Sequence, residues 1–233
     1  IEKVTNELFI TLLSNSMNAQ FSFNKAKGVE ILSHLLKNCN ENHIDYPLYL
    51  QFYQMMQGIT YPQLQEELLK LILLDTELWL RSDADNHMRI LKHWDRTLFP
   101  TMMTNLTTTF KSILLVLRIY YWYELTREER EYDQCTNRCR GEELNVAECR
   151  QLLSRIAVKV AIEKFEKDDF FCIVNHCLTC AELQQVIDLL QIIKSLALSD
   201  PSPLANICND TDIVSFLHLL LPRESNTLLI MIL

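Results

Sequence analysis

Cysteines are the residues of this chain best suited to chemistry, and eight are present. The pattern Cys172-x4-Cys177-x2-Cys180, followed later by Cys208, has the spacing of plant-type iron–sulfur ligands, and His176 would allow a zinc site instead. Metal loops usually contain glycine, whereas this stretch has none and is typical of helix. Cysteine is also among the residue types most often buried. We therefore favour core packing and expect neither a metal nor a cofactor.

A second group of cysteines lies in a polar stretch. Cys135-x3-Cys139 would pair or share a metal with Cys149, but an exposed thiol is the simpler interpretation. The neighbouring Arg138 and Arg140 would make such a thiol the most reactive in the chain, which leaves a regulatory role open.

Other catalytic patterns are weaker still. A run of carboxylates interleaves with arginines, as in a solvated charged surface, and comprises Glu128, Glu129, Glu131 and Asp133. The six histidines have no metal-ligand spacing. Phosphate-loop, dinucleotide, metalloprotease and nucleophile-elbow motifs do not occur. We therefore predict that the chain is not an enzyme.

Composition favours an all-α protein. The 233 residues include only three glycines and six prolines, too few for the turns of a β-sandwich or a glycine-loop nucleotide fold. A formal charge of -8 argues against nucleic-acid binding. No run approaches the ~20 apolar residues of a membrane span, so we predict no direct membrane insertion. The cysteine content of a long helical chain favours a cytoplasmic location.

The most apolar stretch runs from Thr108 to Glu124 and predicts a central helix with amphipathic helices on both sides. Lys111 and Arg118, seven residues apart, would share one face that must reach water. The aromatics at its end would suit stacking on nucleic acid, but the acidic chain favours core packing.

The remaining chain predicts helices on short connections. They lie at about 2–14, 25–38, 47–58, 62–74, 83–99 and 145–164, with later ones beginning near 168, 180 and 210. Expected caps are Asn24, Ser82 with Asp85, and Asn145 with Glu148. We predict an armadillo/HEAT-like α-solenoid of roughly ten to twelve helices, forming one domain over 1–233 with a polar loop near 124–143. The apolar C-terminal NTLLIMIL suggests a fragment of a longer chain.

Two stretches resemble the BEACH-domain protein family (neurobeachin-like). These are Leu73–Trp79, followed by the next helix, and Leu117–Tyr123, followed by the polar loop; the resemblance spans about Leu50–Leu221. It implies an armadillo-like solenoid upstream of PH, BEACH and WD40 modules, in a large cytosolic scaffold of vesicle and membrane traffic. The segment would bind protein partners, and association with membranes would be peripheral, through the other modules.

Two sets of residues are singled out. Exposure in the polar loop suggests partner contacts by Arg127, Arg130, Arg138 and Arg140. The structural core is expected to include Trp79, Tyr120, Tyr121 and Trp122. Two alternatives stay open: an unrelated helical-repeat adaptor for transport or the cytoskeleton, and a metal or redox protein that uses Cys172, Cys177, Cys180 and Cys208.

Overall fold

A computed structural model of the chain describes residues 13, 16–99, 110–120, 143–179, 183–202, 204, 205 and 207. Every regular element among these residues is helical, which confirms the all-α prediction. The N-terminal α-helices are α1 (Met17–Lys25), α2 (Gly28–Asn38), α3 (Tyr46–Gly58), α4 (Pro62–Leu68), α5 (Thr76–Trp79) and α6 (Ala84–His93). The later ones are α7 (Phe110–Ile119), α8 (Glu143–Glu163), α9 (Lys167–Thr179) and α10 (Leu183–Ser199). A short 3₁₀ turn, Glu41–His43, precedes α3.

The helix predicted over 25–38 begins three residues later, as α2 at Gly28, and a separate helix that was not predicted, α1, precedes it. Ser16 caps α1, accepting a hydrogen bond of 3.2 Å from the Ala19 N–H, so Asn24 lies inside α1 and caps nothing. Lys27 then adopts a left-handed backbone (φ 57°) and α2 begins at Gly28. A Cβ on Gly28 would lie 2.1 Å from the Phe23 ring, so glycine allows this close approach. No helix was predicted over the α1 residues because that stretch is largely polar and shows little periodicity.

Gln20 anchors α1 to the rest of the fold. Its buried side chain donates a hydrogen bond of 2.8 Å to the Leu13 carbonyl. Its carbonyl oxygen accepts from the backbone N–H groups of Thr60 (3.1 Å) and Tyr61 (3.0 Å), just before α4. One buried amide thereby satisfies three backbone groups that the neighbouring helices leave unpaired.

Two α-helices continue into π-helical turns. Helix α4 passes into Leu69–Leu73 and α6 into Trp94–Leu98. The predicted cap of α6 was displaced by one residue: Asp83 accepts a bond of 2.8 Å from the Asn86 N–H, while Ser82 donates to the Trp79 carbonyl at 2.6 Å. The predicted Asn145 cap was also wrong, because α8 already begins at Glu143.

Helix α8 holds the central position that the apolar stretch 108–124 was expected to hold. It packs against α6, α7 and α10. Its buried side chains spread over a broad face, for example Leu152, Leu153, Ile156 and Val160. Helix α7 buries most of its aliphatic residues but exposes one face. The difference arises because α8 spaces its apolar residues among charged ones, so no continuous run marks it in the sequence.

Candidate functional site

An open groove of about 550 Å³ runs between α8 and α10. Helix α8 contributes Gln151, Ser154, Arg155, Val158, Lys159 and Ile162. Helix α10 contributes Asp188, Gln191, Ile192, Ser195 and Ser199. The lining spans twelve residues on each helix, which corresponds to about 16 Å of helix length between the first and the last. A groove of this length accommodates about three turns of a peptide helix or a short extended peptide.

The groove combines an apolar floor with polar walls, in which serines and glutamines alternate with three charged residues. Val158 and Ile162 on α8 are half-buried, and Ile192 on α10 is buried. Serine and glutamine side chains around them supply hydrogen-bond donors and acceptors without charge. Such a lining is typical of sites that bind an apolar side chain and hydrogen-bond its backbone.

The charged lining residues are Arg155 and Lys159 on α8 and Asp188 on α10. The two cations lie where α8 meets the π-helical turn after α6. The Lys159 ammonium lies 2.6 Å from an Asp95 carboxylate oxygen and donates to the Asp95 carbonyl at 2.8 Å. The Arg155 guanidinium lies 3.3 Å from the other carboxylate oxygen. Asp95 is only 13% exposed, so this bridge between two elements is partly shielded from solvent. Two cations share one carboxylate here, and Arg155, which is largely exposed, keeps donors for a further anion.

Comparison with known proteins decides the family. The family model described as "Neurobeachin/BDCP, DUF4704 alpha solenoid region" matches residues 3–233, nearly the whole chain. The chain belongs to this family. The resemblance to neurobeachin-like BEACH proteins and the α-solenoid prediction are thereby confirmed. No curated protein and no solved structure matches this DUF4704 segment significantly. Within its described part, no helix is long and apolar enough to cross a membrane.

Of the four aromatics expected in the core of the DUF4704 segment, the two that the structure describes are buried. Trp79 is fully buried, and its indole N–H donates to the Ile72 carbonyl at 2.7 Å. Tyr120 is also buried, at the end of α7. Tyr121 and Trp122 lie outside the described residues, as do the predicted contact residues Arg127, Arg130, Arg138 and Arg140.

The cysteines within the described residues of the DUF4704 segment lie apart. Cys172 is half-buried and Cys177 fully buried on α9. Because residues five apart on a helix point about 140° from one another, these two thiols cannot ligate one metal ion while α9 is helical. Cys149 is buried on α8, with its sulfur 3.7 Å from the Ala84 carbonyl of α6. Cys135, Cys139, Cys180 and Cys208 lie outside the described residues.

Sequence reasoning missed the groove of the DUF4704 segment. Its side chains carry no catalytic or metal-binding signal, because serine, glutamine and valine are common on any helix. One signal was available: Asp188, Gln191, Ser195 and Ser199 form a polar stripe at helical spacing along α10. That stripe shows which side of α10 is polar, but it does not show that α8 forms the other wall of the groove.

A buried histidine makes the stability of the DUF4704 segment dependent on pH. His87 on α6 hydrogen-bonds through Nδ1 to the Tyr120 hydroxyl, and burial lowers its pKa from 6.5 to about 3. Since the unfolded chain takes up this proton first, the stability contributed by neutral His87 is complete above about pH 6.5. It is lost as the pH falls towards 3, at up to about 1.4 kcal/mol per pH unit. Urea unfolding at pH 7, 6 and 5 should reveal this slope.

The variant His87→Gln should reduce that slope, because glutamine still offers Tyr120 a polar partner but does not titrate. Burial also lowers the pKa of His93 and His176, so part of the slope should remain. His34→Gln, at an exposed site on α2, is the matched control and should keep the wild-type slope. Equal slopes in His87→Gln and the wild type would assign the acid sensitivity to other groups.

Proposed function

We propose that this α-solenoid region of a BEACH-family protein is a non-enzymatic scaffold for protein partners in vesicle and membrane traffic. The observation that carries the proposal is the groove between α8 and α10. Stacked helices hold such a groove rigid. Binding of a partner therefore costs little free energy for ordering the groove. Family membership supports the scaffold role, and the trafficking role follows the BEACH resemblance.

The occupant of the groove is a peptide segment of a protein partner, with one apolar and one acidic side chain. The apolar side chain would pack on the floor formed by Val158, Ile162 and Ile192. The acidic side chain would pair with Arg155, where two cations already share Asp95. The serines and glutamines of the walls would hydrogen-bond the peptide backbone.

Blocking the groove tests this proposal. Ser195→Arg places a long charged side chain in the groove, whereas Ala197→Arg changes an exposed α10 residue outside its lining. Both proteins are used for pull-downs from cytosol, with mass-spectrometric identification of bound proteins. We expect trafficking proteins bound by the wild type to be retained by Ala197→Arg and reduced at least about tenfold by Ser195→Arg, a loss of about 1.4 kcal/mol in binding free energy. Equal retention by both variants would exclude the groove.

The polar loop near 124–143 is a second proposed contact. Its arginines Arg127, Arg130, Arg138 and Arg140 would bind acidic groups of the same partner. Deleting 126–141 should then weaken capture while Ala197→Arg does not. Partners retained after the deletion but lost in Ser195→Arg would assign recognition to the groove alone.

The setting of the segment is also a proposal. Residues 1–233 would form a single armadillo-like domain within a longer cytoplasmic protein. Other modules of that protein would supply peripheral attachment to membranes. Expression of the chain alone and fused to its PH and BEACH modules, followed by membrane flotation, tests this. Flotation of the isolated chain to the same extent as the fusion would contradict it.

A further inference from the structure

Helix α7 exposes one narrow face. Lys111, Leu115 and Arg118 are exposed, while the aliphatic residues on the opposite side of the helix are buried. Spacings of four and seven residues place these three side chains in one row about 10 Å long. Leu115 is 57% exposed, which is unusual beside the buried leucines of the same helix.

Helix α9 lies beside this row and runs parallel to α7. The Lys111 ammonium lies 3.8 Å from the Asp168 carboxylate at the start of α9, and Arg118 lies near His176, two turns further along. Phe171 on α9 is 44% exposed. Leu115 and Phe171 are thus exposed on two neighbouring helices, whose solvent-facing side we call the α7–α9 face. It shares no residue with the α8–α10 groove.

The charges at the two ends of the α7–α9 face differ. At the Lys111 end, Asp168 forms an ion pair with the lysine, and the Asp169 carboxylate accepts a hydrogen bond of 3.0 Å from the Glu166 backbone N–H. At the Arg118 end, none of the described carboxylates forms an ion pair with the arginine. Burial, and secondarily the charge of Arg118, lowers the pKa of His176, so that histidine is neutral at pH 7. The face is therefore apolar in the middle, and at one end its positive charge has no ion-pair partner among the residues that the structure describes.

We propose that the α7–α9 face binds an amphipathic partner helix whose apolar side chains pack on Leu115 and Phe171 and whose carboxylate pairs with Arg118. Exposed apolar side chains on two neighbouring helices suit the apolar stripe of a third, amphipathic helix. Arg118 would set the direction of the partner, because among the described residues of the face it is the cation without an ion-pair partner and attracts an acidic residue to its end. A nucleic acid would require a denser row of cations than this chain, with its net charge of -8, provides.

A charge-swap experiment tests this proposal. The probe is a capped, fluorescently labelled 14-residue amphipathic helix with a leucine stripe and one glutamate at its end; a second probe carries lysine in place of the glutamate. Fluorescence anisotropy at low salt measures binding to the 233-residue chain. We expect the glutamate probe to bind the wild type about tenfold more tightly than the lysine probe. Arg118→Glu should reverse this order.

The matched control is Lys194→Glu, which makes the same charge change at an exposed α10 residue. Lys194→Glu should leave the preference for the glutamate probe unchanged. Leu115→Gln should lower the affinity for both probes. Equal binding of the two probes, or the same response in Arg118→Glu and Lys194→Glu, would overturn the proposal. Binding that appears only after deletion of 126–141 would also overturn it, because the occupant would then be this chain itself. Circular dichroism verifies that each variant folds.

Discussion

Replacing Trp79 with alanine should lower the free energy of unfolding by about 3–5 kcal/mol, the cost of emptying a large buried aromatic site. Trp79 is fully buried in α5 and meets the Tyr49 ring edge-to-face, with ring centroids 5.2 Å apart. Its indole N–H satisfies the Ile72 carbonyl, which lies in the π-helical turn before α5. The substitution removes both the packing and the indole donor, and leaves that carbonyl with the longer hydrogen bond of 3.3 Å from the Asp75 N–H. Urea unfolding monitored by circular dichroism measures the loss.

Trp79→Phe separates the two contributions. Phenylalanine keeps most of the apolar volume but leaves the Ile72 carbonyl without the indole donor, so we expect a loss of about 1–3 kcal/mol. Leu198→Ala, at a side chain that is 78% exposed, is the control and should change stability by less than about 0.5 kcal/mol. A Trp79→Ala loss as small as that of Leu198→Ala would contradict a core role for the tryptophan.

Replacing Arg81 with alanine should cost about 2–3 kcal/mol, a large effect for a charged residue near the surface. One guanidinium nitrogen donates to the carbonyls of Leu36 and Lys37 at 2.8 Å each, and the other donates to the Cys39 carbonyl at 2.6 Å. These carbonyls lie at the end of α2 and in the following turn, where a helix leaves its last carbonyls without the usual intrahelical donors. The Leu36 carbonyl also accepts from the Cys39 N–H at 3.3 Å. The positive charge also offsets the negative end of the helix dipole.

Arg81→Lys tests the geometry of this contact. A lysine keeps the charge but lacks the planar fork that reaches three carbonyls, so we expect it to retain less than half of the stabilisation. Arg89→Ala is the matched control, because Arg89 forms only an exposed pair with Asp85 at 3.2 Å. Such a pair contributes about 0.3–0.5 kcal/mol. Similar losses for Arg81→Ala and Arg89→Ala would show that the carbonyl contacts do not stabilise the fold.

Most of the helices could be predicted because their signals are local. Pro62 begins α4 as expected, since its missing N–H is not needed at the first helical position. Asp168 and Asp169 lie in the first turn of α9, where carboxylates favour a helix start. The errors also have local causes. Asp83 and Ser82 are both good N-cap residues and adjacent in sequence, and the structure uses Asp83 to cap α6. Helix α1 lacks the periodicity that marks an amphipathic helix.

The candidate groove could not be predicted in the same way. Its two walls come from α8 and α10, and the lining residues of one helix are at least 26 positions from those of the other, the distance from Ile162 to Asp188. Periodicity shows which side of each helix is polar. It does not show that Ser154 and Ser195 line the same groove, because that depends on how the two helices pack.

The sequence by itself determined the helical class, the family and most helix positions, because these depend on composition and on contacts between residues a few positions apart. Tertiary structure alone decided the roles of Arg81 and Gln20. Both belong to residue types that usually lie in water. Arg81 nevertheless donates to carbonyls at the end of a helix more than forty residues earlier, and Gln20 is buried between two elements. Unpaired backbone groups at helix ends require partners, and only the packing of the helices determines which side chains reach them.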